Sequence, residues 1–216
     1  MTTTTAPSPQ RYLHLHHARN EFVCSGHEDG TGSSGVLLQN SAYAEPEHCL
    51  DLLSVDIPNR LLALALTHLE PATTDYASVP YHTAFNWTTV MHMLRIYCQQ
   101  NNYIWPRTTF YVVDFRSQLK TGSIDKLRLI QLDKESHREA TGSGWLLKYW
   151  FGTPDADQRN LATCVWRDKH DAVAGGRGPY HKLARGCVNE MYDKIDVHGL
   201  LLVIEQHANE WSFEPS

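Results

Sequence analysis

A lysine set among aromatic residues, an aspartate on another alternating stretch and histidines around a glycine turn are the residues here whose types and spacing suit chemistry. In WLLKYWF (145–151), alternation puts Trp145, Leu147, Tyr149 and Phe151 on one face and Leu146, Lys148 and Trp150 on the other. A buried ammonium needs a partner or a cavity. In FYVVDFR (110–116), Val112, Asp114 and Arg116 share a face, so Asp114 is the expected partner of Lys148. Three roles for Lys148 stay open: a structural pair with Asp114, a side chain reaching solvent at a sheet edge, or the donor of a pocket. The turn GGRGP (175–179) opens a helix, where free N–H groups, the positive dipole end and Arg177 suit a phosphate or carboxylate. The alternative is conformational: Gly175 or Gly176 ends one helical segment in the left-handed region, and Pro179 starts the next.

His170 and His181 flank that turn eleven residues apart, which is no chelate spacing, but either imidazole suits proton transfer if it faces a pocket. His170, beside Asp171, reads as solvated; His181, in a first helical turn, reads as a neutral hydrogen-bonding group. VPYHTAFNW (79–87) places His82 at a helix entrance, where functional loops often sit, and Asn86 is accounted for as the helix cap. Trp87, Trp150 and Trp166 would wall an apolar pocket or pack the core, with Tyr149, Tyr180 and Arg177 as further substrate-facing groups. No metal-binding set is read. GxGxxG after a strand, GxxxxGK[ST], HExxH and GxSxG are all missing, which argues against dinucleotide, nucleotide, zinc-protease and α/β-hydrolase chemistry.

Composition sets the frame for these residues. The chain has 216 residues, 42% of them hydrophobic, enough for one domain with a sizeable core. A net charge of −5 argues against a nucleic-acid surface. No apolar run is long enough to span a bilayer, and the N-terminus does not read as a secretory signal, so a cytoplasmic location is expected. Five cysteines, odd in number and without a CxxC, read as reduced thiols. Thirteen histidines are the compositional oddity.

Residues 1–50 read as an irregular arm and 51–216 as a single domain. Within the arm, YLHLHHA would be a short strand with Tyr12, His14 and His16 on one face; two histidines at this spacing can chelate a metal, but no third ligand is evident nearby. RLLALALTHLE (60–70) reads as a buried strand bounded by Pro58 and Pro71, with a short helix as the alternative. A helix capped by Asn86 follows, with Trp87, Val90, Met91, Leu94, Tyr97 and Cys98 on one stripe. RTTFYVVDFRS (107–117) reads as a strand, and residues 123–144 as mostly helix, although KLRLIQL within them is also compatible with a strand. Residues 145–153 and 159–167 form a hairpin around PDADQ, 168–176 begin a helix, Pro179 restarts it with a stripe from Tyr180 to Met191, and HGLLLVIEQ (198–206) is a strand. From 109 to 206 the order is βαββαβ, an α+β ferredoxin-like half-barrel, preceded by an additional strand–helix pair. The face of such a sheet that its helices leave open must also be covered, in many families by a second half-barrel that encloses a pocket.

The block GWLLKYWFGTPDADQRNLATCVWRDKHDAVAGG resembles a family of small fungal proteins sharing LLKYWFGTPN…GRNLATCIWRS, chiefly over residues 137–185 and more weakly around PYHTAFNW. Asp157–Gln158 stand where that family usually has a glycine. The resemblance implies a fungal source and dimeric α+β-barrel character, a group that includes monooxygenases, haem-handling enzymes, decarboxylases and cyclases. By analogy with cofactor-free fungal cyclases and pericyclases, it implies an enzyme folding an apolar terpenoid or polyketide into a reactive conformer, as a Diels–Alderase does. Lys148, His82, His181 or Tyr149 would then donate to a conjugated carbonyl, with Asp114 beside Lys148. The alternatives are a haem- or oxygen-dependent barrel enzyme with His181 on iron, and a non-catalytic small-molecule-binding protein. The expected partners are a small apolar metabolite and a second copy of the chain, with no nucleic acid, no membrane and no cofactor.

Overall fold

A computed structural model describes residues 23–24, 35–122 and 124–216; YLHLHHA and its histidines lie outside them. Three short antiparallel strands come first: β1 (Val23–Cys24), β2 (Leu37–Leu38) and β3 (Leu50–Asp51). Leu38, His48, Leu50 and Leu52 are buried, so residues 35–50 of the expected arm pack onto the domain.

The run expected as a strand at 60–70 is instead helix α1 (Ile57–Ala65), followed by a 3-10 turn at Leu66–His68. Asp56 caps α1 by accepting from the Asn59 N–H at 3.1 Å, and Pro58 sits in its first turn. Leu61, Leu62, Ala63, Leu64 and Ala65 are all buried, so no polar face interrupts the run and periodicity cannot tell helix from strand. After the short α2 (Tyr81–Ala84) comes α3 (Trp87–Gln100), whose buried residues are the expected stripe. Asn86 does not cap it with its side chain. Its Oδ1 accepts from Glu70 N–H at 2.9 Å and its Nδ2 donates to His68 O at 3.0 Å, fastening the preceding turn to the helix entrance.

The remaining elements are β4 (Thr108–Leu119), α4 (Lys126–Gly142), β5 (Leu146–Phe151), β6 (Arg159–Trp166), α5 (Lys169–Gly175), α6 (Pro179–Gly186), α7 (Val188–Met191), β7 (Tyr192–Ile204) and β8 (Trp211–Pro215). The strands form one antiparallel sheet in the order β5-β6-β4-β7-β8. Its first four strands have the ferredoxin-like arrangement, so the fold is α+β as expected. β8 is an edge addition the pattern did not show, and β7 starts at Tyr192, before the expected 198. The helix expected from Pro179 to Met191 breaks at Cys187 into α6 and α7. In the β5–β6 hairpin Gln158, at the position where the resembled family has glycine, has φ +61°.

The two faces of the sheet differ in their cover. Phe110 and Val112 of β4 join Leu161, Val165, Leu202 and Ile204 in a core shared with Leu61 and Leu62 of α1 and Val90, Met91 and Leu94 of α3. Tyr111 and Val113 point the other way, to a cluster of Ala140 from α4, Leu146, Trp166 and Ala172 from α5. Cover expected from a second copy is thus supplied, over this part of the face, by the chain's own α1 and α3. Alternation in β5 is broken by a bulge: Leu146 pairs with Trp166 but Lys148 pairs with Val165, and Leu146, Leu147 and Lys148 are all buried. Leu147 consequently faces α1 and α3 rather than sharing a face with Tyr149.

Candidate functional site

The bulge decides the position of Lys148. Asp114 lies level with Thr163 and Trp150, whereas Lys148 lies level with Val165 and Val112, two residues along on the same face. The expected Lys148–Asp114 pair does not form. Asp114 instead takes Arg116 Nε on both oxygens, at 3.0 and 3.1 Å, with His198 Nδ1 at 3.8 Å, and Arg116 also donates to Ala77 O at 2.9 Å. Lys148 is 9% exposed, has no carboxylate partner among the described residues, and burial pushes its amine down from 10.5 to about 8. Trp87 and Trp150 belong to an aromatic cluster: Phe85 meets Trp150 edge-on at 4.9 Å and Phe213 meets Trp87 at 4.9 Å. His82 and Arg177 are exposed. Of the expected site residues, Lys148, Asp114, Trp87 and Trp150 therefore lie on the α1/α3 face, and Tyr149, Trp166, Tyr180 and His181 on the other.

The GGRGP turn already holds an anion, and it is the protein's own. The Glu139 carboxylate of α4 accepts from Tyr180 N–H at 2.7 Å, His181 N–H at 3.1 Å and His181 Nδ1 at 2.9 Å, satisfying the start of α6. These bonds draw the Glu139 carboxyl below its usual range against the opposing effect of burial. The glycines make room: a Cβ on Gly178 would lie 2.2 Å from the Glu139 carboxyl, and one on Gly175 would lie 2.3 Å from the Trp166 ring. Pro179 does start α6, but neither Gly175 nor Gly176 is in the left-handed region: close approach, not φ, calls for Gly175 and Gly178. On α5, Asp168, His170 and Asp171 gather three ligand-type groups, but Asp168 caps Asp171 N–H at 2.9 Å and Asp171 binds Arg167 at 2.7 and 2.9 Å.

Asp133 and His137, six and two residues before Glu139 on α4, hold a second polar group on this side of the sheet. Asp133 accepts from the Tyr43 hydroxyl on Oδ2 at 2.5 Å and from the Tyr149 hydroxyl on Oδ1. His137, four residues on and 4% exposed, meets His48 from a 3-10 turn at Pro46–His48, Nδ1 to Nδ1 at 2.8 Å. Their rings stack at 5.1 Å, with Tyr43 and Tyr149 each 5.2 Å from the His137 ring. Nε2 of His137 is buried with no hydrogen-bond partner among the described residues. Asp133 and both phenols keep part of their surface exposed, and Phe151 beside them is 38% exposed, so solvent reaches the group.

Electrostatics sharpen the group. Burial raises the Asp133 carboxyl above its usual range, opposed by the two phenols and by His181. Burial, helped by Asp133, lifts the Tyr149 and Tyr43 hydroxyls well above 10. Burial, then His48 and His181, pushes His137 down to about 3, so it is neutral at pH 7. Burial also raises the Cys164 thiol and Tyr192 hydroxyl nearby to about 12, with Asp133 adding to both. A carboxylate held by two phenols can pass a proton among three groups and present a hydroxyl to a developing oxyanion. Sequence reasoning missed Tyr43, His48, Asp133, His137 and Glu139. The available signal was Asp133 and His137 at i and i+4, between inward-facing Leu132, Ser136 and Ala140.

The chain matches the PB2B2.08-like family model over residues 39–215, which contain every residue of this group. It is 33% identical over 183 residues to UPF0643 protein PB2B2.08 of Schizosaccharomyces pombe, covering 82% of this chain and 83% of that one. Among solved structures it is similar to Rv0793 from Mycobacterium tuberculosis, at a TM-score of 0.37 and 14% identity over 42% of this chain and 92% of the other. It is also similar to a Nitrosomonas europaea protein provisionally described as an antibiotic biosynthesis monooxygenase, at 0.35 and 16%, over 43% and 86%. The extent of the first two matches shows that the chain belongs to the PB2B2.08-like family of fungal proteins.

Proposed function

We propose that this protein is a cofactor-independent enzyme of fungal natural-product metabolism, a cyclase or isomerase that acts on an apolar terpenoid or polyketide carbonyl compound at Asp133. The observation that carries this reading is one carboxylate, on a half-buried aspartate, accepting from two phenols: Tyr43 of the loop after β2 and Tyr149 of β5. A phenol released toward a bound carbonyl oxygen stabilises the charge developing in an enolisation or cycloaddition, while Asp133 takes up or returns the proton. Phe151, whose ring lies 6.2 Å from that of Tyr43 and 5.6 Å from that of Tyr149, offers with them the apolar contact surface. His181, fixed by Glu139, adds positive character near Asp133 when protonated. In this reading Lys148, Asp114, Trp87 and Trp150, across the sheet, serve packing.

The test is hydrogen–deuterium exchange beside the carbonyl of a panel of apolar ketones in heavy water, followed by NMR. Wild-type protein is expected to catalyse exchange, and Asp133→Asn and Tyr149→Phe to slow it roughly 100-fold with unchanged circular dichroism. No exchange across the panel, or equal exchange by Asp133→Asn, overturns the proposal; ligand binding without exchange favours the non-catalytic binding protein. A haem- or oxygen-dependent barrel enzyme is the second reading, favoured by His181, whose Nδ1 is held by Glu139 so that Nε2 would be the nitrogen left to hold iron. A Soret band in the protein purified from its fungal source would select it.

A further inference from the structure

Strand β7 is longer than the strand that covers its outer side. β8 pairs only with Leu200–Ile204, and the Ser216 N–H reaches Gly199 O at 3.2 Å. Upstream, Tyr192 and Lys194–His198 pair with β4 on one side, Asp193 bulging out of that register, and among the described residues no strand lies on the other. This edge is open: Asp193, Lys194 and His198 are exposed, and Val197 is 56% exposed. An uncovered edge is a template for another strand.

Its charges select the kind of strand. Lys194 and Asp196 lie on the same face, bridged at 2.7 Å. Residues opposite each other in an antiparallel pair point to the same side, so a two-fold axis normal to the sheet must pass through a residue rather than between two. An axis at Asp193, Lys194 or Asp196 sets a like charge against itself. An axis at Val197 requires Gly199, which Ser216 already engages. An axis at Ile195 stays clear of Gly199, keeps the regular stretch Lys194–Asp196 at its centre and sets each Lys194 against Asp196 of the other copy, twice over.

We propose that the protein forms a homodimer by antiparallel pairing of Tyr192–His198 with the same segment of a second copy about Ile195, joining the two sheets edge to edge. The face of the sheet is not available for this association over the part that α1 and α3 fill. Seven-residue edges alone stay below the ~1,200 Å² of a stable interface, so the dimer is weak, concentration-dependent and sensitive to salt.

Sedimentation velocity over a concentration series at low salt tests this. The wild-type protein is expected to shift from monomer to dimer. Lys194→Asp, which places like charges opposite each other twice, is expected to weaken association roughly tenfold or more. The swapped double variant Lys194→Asp/Asp196→Lys is expected to restore it. Both substitutions are on the surface, and circular dichroism checks that the fold is retained. A wild-type protein that stays monomeric throughout, a dimer indifferent to Lys194→Asp, or a double variant that fails to recover would overturn the proposal.

Discussion

At the scale of residues, Lys148 and Asp133 respond to burial in opposite senses, and their partners differ. Asp133 has two phenols to solvate its charge; Lys148 has no ion-pair partner among the described residues, and burial alone lowers its amine to about 8 from 10.5. Between those two pH values the unfolded chain holds a proton that the folded chain has given up, so this residue costs stability at neutral pH and the cost fades as pH rises through that window. The cost is about 3 kcal/mol. Lys148→Met is therefore expected to raise the free energy of unfolding in urea by about 1–3 kcal/mol at pH 7, with the gap to wild type closing toward pH 10. No gain at pH 7 would show that the amine has better solvation than its surroundings imply.

At the scale of elements, α5 and α6 are set by close approach at two glycines. Trp166 is 3% exposed and lies directly under Gly175, so a methyl group there has nowhere to go. Gly175→Ala is expected to destabilise by about 2–3 kcal/mol, read from the urea midpoint, although alanine is the better helix former. A stabilised Gly175→Ala would mean that Trp166 can yield. Elements with a one-sided burial pattern were legible in the sequence: α3 presents its expected stripe, and β4 alternates as read. Elements without one were not. α1 is buried on every side from Leu61 onward, and β8 is short and half exposed. The bulge that moved Lys148 out of register was hidden for a related reason, because alternation assumes one residue per pairing step.

At the scale of the molecule, the residues before β4 complete the core. Phe110, Val112, Leu147, Leu161, Val165, Leu202 and Ile204 are covered from the side of α1 and α3, and exposing them would forfeit roughly 10–20 kcal/mol. That exceeds or equals the whole stability of an ordinary domain. A chain beginning at Pro106 is expected to bind a hydrophobic dye and to lack a cooperative thermal transition; cooperative unfolding of that fragment as a monomer would show that the βαββαβ unit needs no such cover.

The sequence by itself determined the order of most elements, the α+β ferredoxin-like class and the membership of a fungal family, because these rest on periodicity and local signals carried by neighbouring residues. It also held both residues of the i, i+4 pair Asp133 and His137 on one helical face. Only the tertiary structure decided what surrounds them. Tyr43 and His48 come from a segment without period, 90 and 89 residues away from their partners Asp133 and His137, and Tyr149 arrives from a strand whose register a bulge had shifted. A site assembled from contacts so distant in the chain leaves no local pattern. Its proton affinities are set by burial, and burial exists only once the chain has folded.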